Sequence, residues 1–246
     1  ATGHIAMKYG IKGPAFSTSS ACSSSGHAIA MAVLMLRSGL VDTVLAGGAE
    51  ACITAGNLRA WEGLRVLATD TCRPFSADRT GLVIGEGAGT LVLETLDHAL
   101  ARKAPIFAEL VGIGMSSDAH NLVQPLSEGA QQAMKMALDD ARYLPADIQY
   151  INAHGSGTRQ NDKTETHAIH QIFKEHACKL AISSTKSLHG HVLGAGGAIE
   201  AIASILSINH QRVPPTRNYR QPDPDCDLNY VPNHSISTII NNAKSN

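Results

Sequence analysis

No Cys-x-x-Cys pair occurs in this chain: its five cysteines, at 22, 52, 72, 178 and 226, are odd in number and stand far apart. That argues against a disulfide framework and against a zinc site. Net charge is missing too, since Lys+Arg of 20 offset Asp+Glu of 21, so nothing in the composition suggests a nucleic-acid surface or an acidic tail. No apolar run approaches the roughly 20 residues of a membrane span. The start Ala1-Thr-Gly-His-Ile5 lacks the basic beginning and apolar core of a signal peptide. These absences leave a cytoplasmic globular protein with no membrane or nucleic-acid partner as the expectation. A hydrophobic content of 43% over 246 residues is ample for one large core or two modest ones.

Helix and strand signals alternate along the chain, as layered α/β architecture requires. Apolar residues at helical spacing (Ile29, Met31, Ala32, Met35, Leu36) predict a helix over 27–38 that stops at Gly39. Thr43–Ala49 reads as a short buried strand, and Gly81–Glu94 as a strand pair or bent strand whose glycines permit close packing. A short helix and linker over 97–103 suggest a boundary between halves 1–100 and 101–246. Beyond it, Ile106–Gly114 reads as the opening of a second strand-rich region, followed by an amphipathic helix over 131–141, a strand over 150–153 and a small-residue helix over 194–208.

Three islands carry reactive side chains at the ends of these elements: Cys22 among serines, Asn152-Ala-His154-Gly-Ser-Gly-Thr158, and Ser183-Ser-Thr-Lys186-Ser-Leu-His-Gly-His191. A lone cysteine is ordinarily an inert small hydrophobe. Cys22 differs from Cys52, Cys72, Cys178 and Cys226 in preceding a helix, where free N–H groups and the positive dipole end are expected to lower a thiol pKa. His154 and His191 each adjoin glycine in a strand-to-loop turn, unlike His120, His167, His170 and His189, which read as ordinary packed or surface imidazoles. Lys186 follows an apolar strand, where it is either a solvated charge or the group that orients an imidazole or holds negative charge. No cluster with metal-ligand spacing is present, so neither a metal nor an organic cofactor is expected.

In this order the islands resemble the β-ketoacyl-acyl-carrier-protein synthases of the elongating type, the condensing enzymes of fatty-acid and polyketide synthesis. Supporting stretches include Val44–Glu50, Cys72–Arg79, Gly85–Gly89, Gly114–Asp118, Asn161–Glu165, Leu193–Ala198, Val213–Thr216 and Asp223–Asp227. Asp70–Ser76 and Asn218–Leu228 look especially similar to the nodulation protein E branch. The resemblance implies a thiolase-like fold of two related α/β halves layered α-β-α-β-α, usually dimeric. It implies that Cys22 takes an acyl chain from the phosphopantetheine arm of acyl carrier protein, aided by its own backbone N–H as oxyanion donor. His154 and His191 would then promote decarboxylation of the malonyl group and stabilise the enolate, with Lys186 holding His154 or the charge network in place. Ser156 and Thr158 match pantetheine contacts. Glu165 and Glu200 match carboxylates near the site and read equally as structural ion-pair partners. For the acidic carrier, Arg59, Arg65, Arg73 and Lys103 are the candidate basic patch.

Departures from the family pattern set further expectations. Relatives carry many more residues before the cysteine and end in a Gly-Phe-Gly-Gly-Thr-Asn turn, whereas this sequence stops at Lys244-Ser-Asn246, so a fragment or a partner-dependent chain is expected. Leu82 stands where many relatives carry phenylalanine beside the nucleophile, which implies a different accepted acyl chain. Two other readings share the fold. A non-catalytic chain-length-factor-like subunit would typically lack Cys22, and a degradative thiolase would need a second cysteine in a glycine-framed motif, which neither Cys178 nor Cys226 provides.

Overall fold

The computed structural model describes residues 2–121 and 123–246. Helix α1 (Thr2–Tyr9) buries none of its residues. The serine-rich stretch then runs into a single 3-10 turn, Ala21–Ser23, and into α2 (Ser24–Arg37), so the helix begins three residues before the sequence boundary. Strand β1 (Thr43–Glu50) follows, then α3 (Ala55–Gly63), β2 (Gly87–Glu94) and α4 (Leu96–Ala101). β1 and β2 pair antiparallel from Thr43 opposite Glu94 to Glu50 opposite Gly87. One face of this pair carries Val44, Ala46, Leu91 and Leu93 against Ile29 and Ala32 of α2. The other face is open, with the cross-strand partners Leu45 and Val92 43% and 58% exposed.

The second half contributes α5 (Ser127–Ala141), β3 (Tyr150–Asn152), α6 (Arg159–Phe173), β4 (Ala181–Ser183), α7 (Lys186–His189), α8 (Gly196–His210), β5 (Arg212–Val213), β6 (Ile236–Ser237) and β7 (Ala243–Ser245). β4, β3 and β7 form a parallel sheet in that order. Met134 and Leu138 of α5 and Ile169 and Phe173 of α6 cover one face, over Ile151 and Ile182. α8 lies between the two sheets. Its Ala198 packs on Ile29 and Ala46, and its Ile208 on Tyr150 and Val213. The described residues thus stack as α-β-α-β, with the helices α8 and α2 central. Gly89 allows the close approach of β2 to α8, because a Cβ there would stand 3.2 Å from the Ala198 and Ile199 main chain. That is the packing role expected for these glycines.

The run Ile106–Gly114 does not form the expected strand. It lies along α5 instead: a Cβ on Gly112 would fall 2.2 Å from the Ala137 carbonyl oxygen, and one on Gly114 2.0 Å from that of Ala133. Arg37 donates to Val111 O at 3.0 Å and to the Asp140 carboxylate, which also accepts from Ile113 N at 2.9 Å. A strand needs neighbouring backbone to complete its ladder, and a run of apolar residues does not by itself supply one. Cys52, Cys72 and Cys226 are buried and Cys178 is exposed, in line with core and surface thiols. Among the described residues no helix is long and apolar enough to cross a membrane.

Candidate active site

The turn that opens α2, the β3–α6 connection and the turn between α7 and α8 converge at Cys22, His154 and His191. Ala21, the residue before it, has φ 51°, a left-handed conformation that costs a non-glycine residue on the order of 1 kcal/mol or more. Such a conformation persists only where the surrounding structure holds the Cys22 turn in place. Burial is the largest influence on the thiol and pushes its pKa up, while the Lys186 ammonium and the residue's own N–H pull it down without winning. The expectation of a lowered pKa is therefore corrected: burial outweighs the Lys186 charge and the backbone N–H. Alkylation of Cys22 by a neutral reagent should accordingly rise with pH to a midpoint above the ordinary thiol value of 9.0. The pH profile of iodoacetamide labelling, read by mass against Cys22→Ala, checks this, and a midpoint near 7 would contradict it.

His191 Nε2 lies 3.0 Å from Cys22 Sγ. Its other nitrogen, Nδ1, accepts the Leu193 backbone N–H at 3.2 Å. A neutral ring that accepts at Nδ1 carries its proton on Nε2, so His191 presents an N–H donor toward the sulfur. Burial, reinforced by the Lys186 charge, lowers its pKa to about 3, which keeps the ring neutral near pH 7. His154 meets the His191 ring edge-on, with centroids 5.3 Å apart. Burial and Lys186 push its pKa well below the usual histidine value as well. The His154 backbone is fixed by Glu165, whose two oxygens accept from His154 N and Gly155 N at 2.8 Å each. Two adjacent neutral imidazoles beside a half-buried thiol form a donor site for negative charge that develops on oxygen.

Lys186 is 1% exposed and bonds Glu200 rather than His154, so of the two expected contacts it makes the one to the charge network, as a buried ion pair. Its ammonium acts through its field, lowering the pKa of Cys22, His154 and His191 together. Glu200 thus has the ion-pair role foreseen for it, and Glu165 that of a backbone anchor. Asp162, which the sequence reading did not single out, is fully buried and accepts from Phe75 N at 2.8 Å and Gly157 N at 3.2 Å. Arg79 Nε stands 3.4 Å from it, yet burial still pushes its pKa up to about 6. Asp162 and Glu165 both project from α6, whose spacing of Ala168, Ile169, Ile172 and Phe173 was the available signal for that helix.

Ser156 and Thr158 hydrogen-bond each other at 2.9 Å, and Thr158 also caps α6 by accepting from Asn161 N at 3.4 Å. Leu82 lies in a cluster with Cys52 and Ile84, packed by Trp61 and Leu193. Arg59, Arg65 and Lys103 are exposed. Arg73 is not: it is 3% exposed and paired with Asp70, which removes it from any surface patch. Cys22, His154 and His191 are a grouping whose ligand atoms, all within 4.8 Å of one another, are close enough for a metal ion. The hydrogen bond from Leu193 argues against that use, because it places the ring proton on Nε2, the atom that would have to bind.

The fold is thiolase-like, the class to which the ketosynthases belong. The chain belongs to the beta-ketoacyl synthase family: residues 1–99 match the N-terminal domain of that family and residues 107–220 its C-terminal domain. It is 52% identical over 246 residues to nodulation protein E of Rhizobium sp. (strain N33), covering 100% of this chain and 61% of that protein. It is 44% identical over 253 residues to 3-oxoacyl-[acyl-carrier-protein] synthase 2 of Staphylococcus aureus (strain COL), covering 100% and 61%. Among solved structures, the ishigamide ketosynthase/chain length factor aligns with TM-score 0.96 at 38% identity over 100% of this chain and 60% of that one. A ketosynthase solved with its type II polyketide synthase acyl-carrier protein, and bound to the hexaketide, aligns with TM-score 0.95 at 39% identity over 99% and 62%. The chain spans about three fifths of the length of the curated relatives it matches.

Proposed function

We propose that this chain carries the reacting groups of a decarboxylative Claisen condensation on acyl-carrier-protein thioesters, the step that lengthens an acyl chain by two carbons. The observation that carries the reading is the His191 Nε2–H set on Cys22 Sγ with a second neutral imidazole beside it. Cys22 sulfur attacks the carbonyl carbon of the acyl-pantetheine thioester. The new carbon–sulfur bond forms as the pantetheine thiolate leaves and takes up the thiol's proton. Malonyl-carrier protein then loses carbon dioxide, and the electron pair of the broken carbon–carbon bond moves onto the thioester oxygen. Imidazole N–H groups of His154 and His191 hold that enolate, and the Lys186 field favours its charge. The enolate carbon attacks the Cys22 thioester, releasing the sulfur, which regains a proton, and yielding 3-oxoacyl-carrier protein.

Other residues fit supporting roles in this scheme. In the Ser156–Thr158 pair one hydroxyl hydrogen is used between them and the other remains to donate outward, as a pantetheine contact requires. Leu82 shares its cluster with Leu193, the neighbour of the His191 ring, so an acyl chain directed that way would meet it. Exposed Arg59, Arg65 and Lys103 remain as the basic contacts for an acidic carrier. We assign the nucleophile to a half spanning 1–100 and the histidines and lysine to a half spanning 101–246, in a homodimer. The chain-length-factor alternative is disfavoured by Cys22, held within hydrogen-bond reach of His191.

Intact-mass analysis after incubation with an acyl-carrier-protein thioester tests the reading. The chain should gain one acyl mass and Cys22→Ala none. A folded, unmodified wild-type chain would reject the proposal that it accepts the acyl group by itself.

A further inference from the structure

Four hydrogen bonds hold the turn that follows His191. His191 N donates to Val83 O at 2.6 Å, Gly85 N donates to His191 O at 3.0 Å, and Ala195 N donates to Val192 O at 3.0 Å. The fourth comes from the side of β1: Gly194 N donates to Glu50 Oε2 at 3.2 Å. Glu50 is the only one of these anchors that is a side chain. Between the anchored positions sits Leu193, with φ 43°. A leucine in that conformation persists only where its surroundings hold it there. Its N–H is also the donor that reaches His191 Nδ1.

We propose that Glu50 is a positioning residue for His191: by holding Gly194 it keeps the strained Leu193 N–H on Nδ1 and so keeps the ring's proton on Nε2, facing Cys22. The inference rests on the condensing role of His191 for its functional consequence, but not for its structural one. A carboxylate at the end of β1, in the half that carries the nucleophile, thereby sets the tautomer of a histidine in the other half. Outer partners that orient metal-ligating imidazoles matter at about 10- to 100-fold in affinity or activity, and the low end of that range is taken as the scale for this ring.

The test is histidine-¹⁵N NMR of the whole chain, with the His191 signals assigned by their loss in His191→Asn. Wild type should show Nδ1 unprotonated and Nε2 protonated. Glu50→Ala should show a mixture of the two tautomers, with condensation slowed about tenfold. Glu50→Gln, which retains an acceptor oxygen, should restore both. If Glu50→Ala does not fold, Glu50→Asp keeps the charge but draws the carboxylate back by one methylene, and the same mixture is expected. A His191 ring that stays wholly in the Nε2–H form in these variants would overturn the proposal, as would a wild-type ring protonated at Nδ1. Because tautomers are read without turnover, an inactive wild type whose tautomer shifts on Glu50→Ala would count against the condensing role alone.

Discussion

Replacing Lys186 with methionine should destabilise the fold by about 3–5 kcal/mol, the usual cost of stripping one partner from a buried ion pair. Lys186 and Glu200 are 1% and 2% exposed, and burial already raises the Glu200 pKa against the opposing effect of its partner. Without the ammonium, that carboxylate must take up a proton or leave the core. The double variant Lys186→Met/Glu200→Gln should recover much of the loss, because it removes both charges from the same apolar setting. Chemical denaturation of the three proteins measures this. Lys186→Met unfolding at the wild-type denaturant concentration would show that the pair is not a structural unit. The chemistry should move as well: Lys186 holds the Cys22 and histidine pKa values down, so folded Lys186→Met should alkylate at Cys22 only at still higher pH.

His154→Ala should separate the two chemical stages. The backbone anchor survives, since Glu165 binds the N–H groups of residues 154 and 155 and not the ring. The contact to the sulfur also survives, because it belongs to His191. Acyl transfer to Cys22 should therefore be little changed. Decarboxylation of malonyl-carrier protein should fall by about 10²–10³, as when one donor is removed from an oxyanion site. Single-turnover measurement of both stages checks it, and an equal fall in both would place His154 in the acylation step instead.

Much of this centre was legible in the sequence because its reactive residues stand in short islands framed by glycine and serine. Cys22, His154, Lys186 and His191 could be named from those islands alone. Their partners could not. Lys186 meets Glu200 and Cys22 meets His191 across 14 and 169 positions, respectively, and only the placement of α8 and α2 between the sheets brings them together. The sign of the thiol shift was misjudged for a related reason: a helix start is visible in sequence, whereas the burial that raises the pKa depends on everything packed above. The run 106–114 shows the same limit: its apolar residues are plain in the sequence, whereas the pairing strand it would need is absent from the described residues. Glu50 and the Leu193 N–H gave no local signal, one being a strand-end acid and the other a main-chain group.

In the proposed reaction Cys22, His154 and His191 together join carbon to carbon. The direct measurement begins with the chain acylated on Cys22, adds malonyl-carrier protein labelled with ¹³C in its free carboxyl group, and follows labelled carbon dioxide together with the mass of the carrier-bound product. One labelled carbon dioxide released per 3-oxoacyl-carrier protein formed, with Cys22 returned to the free thiol, is the predicted result. An acyl group that stays on Cys22 while no labelled carbon dioxide appears would contradict it.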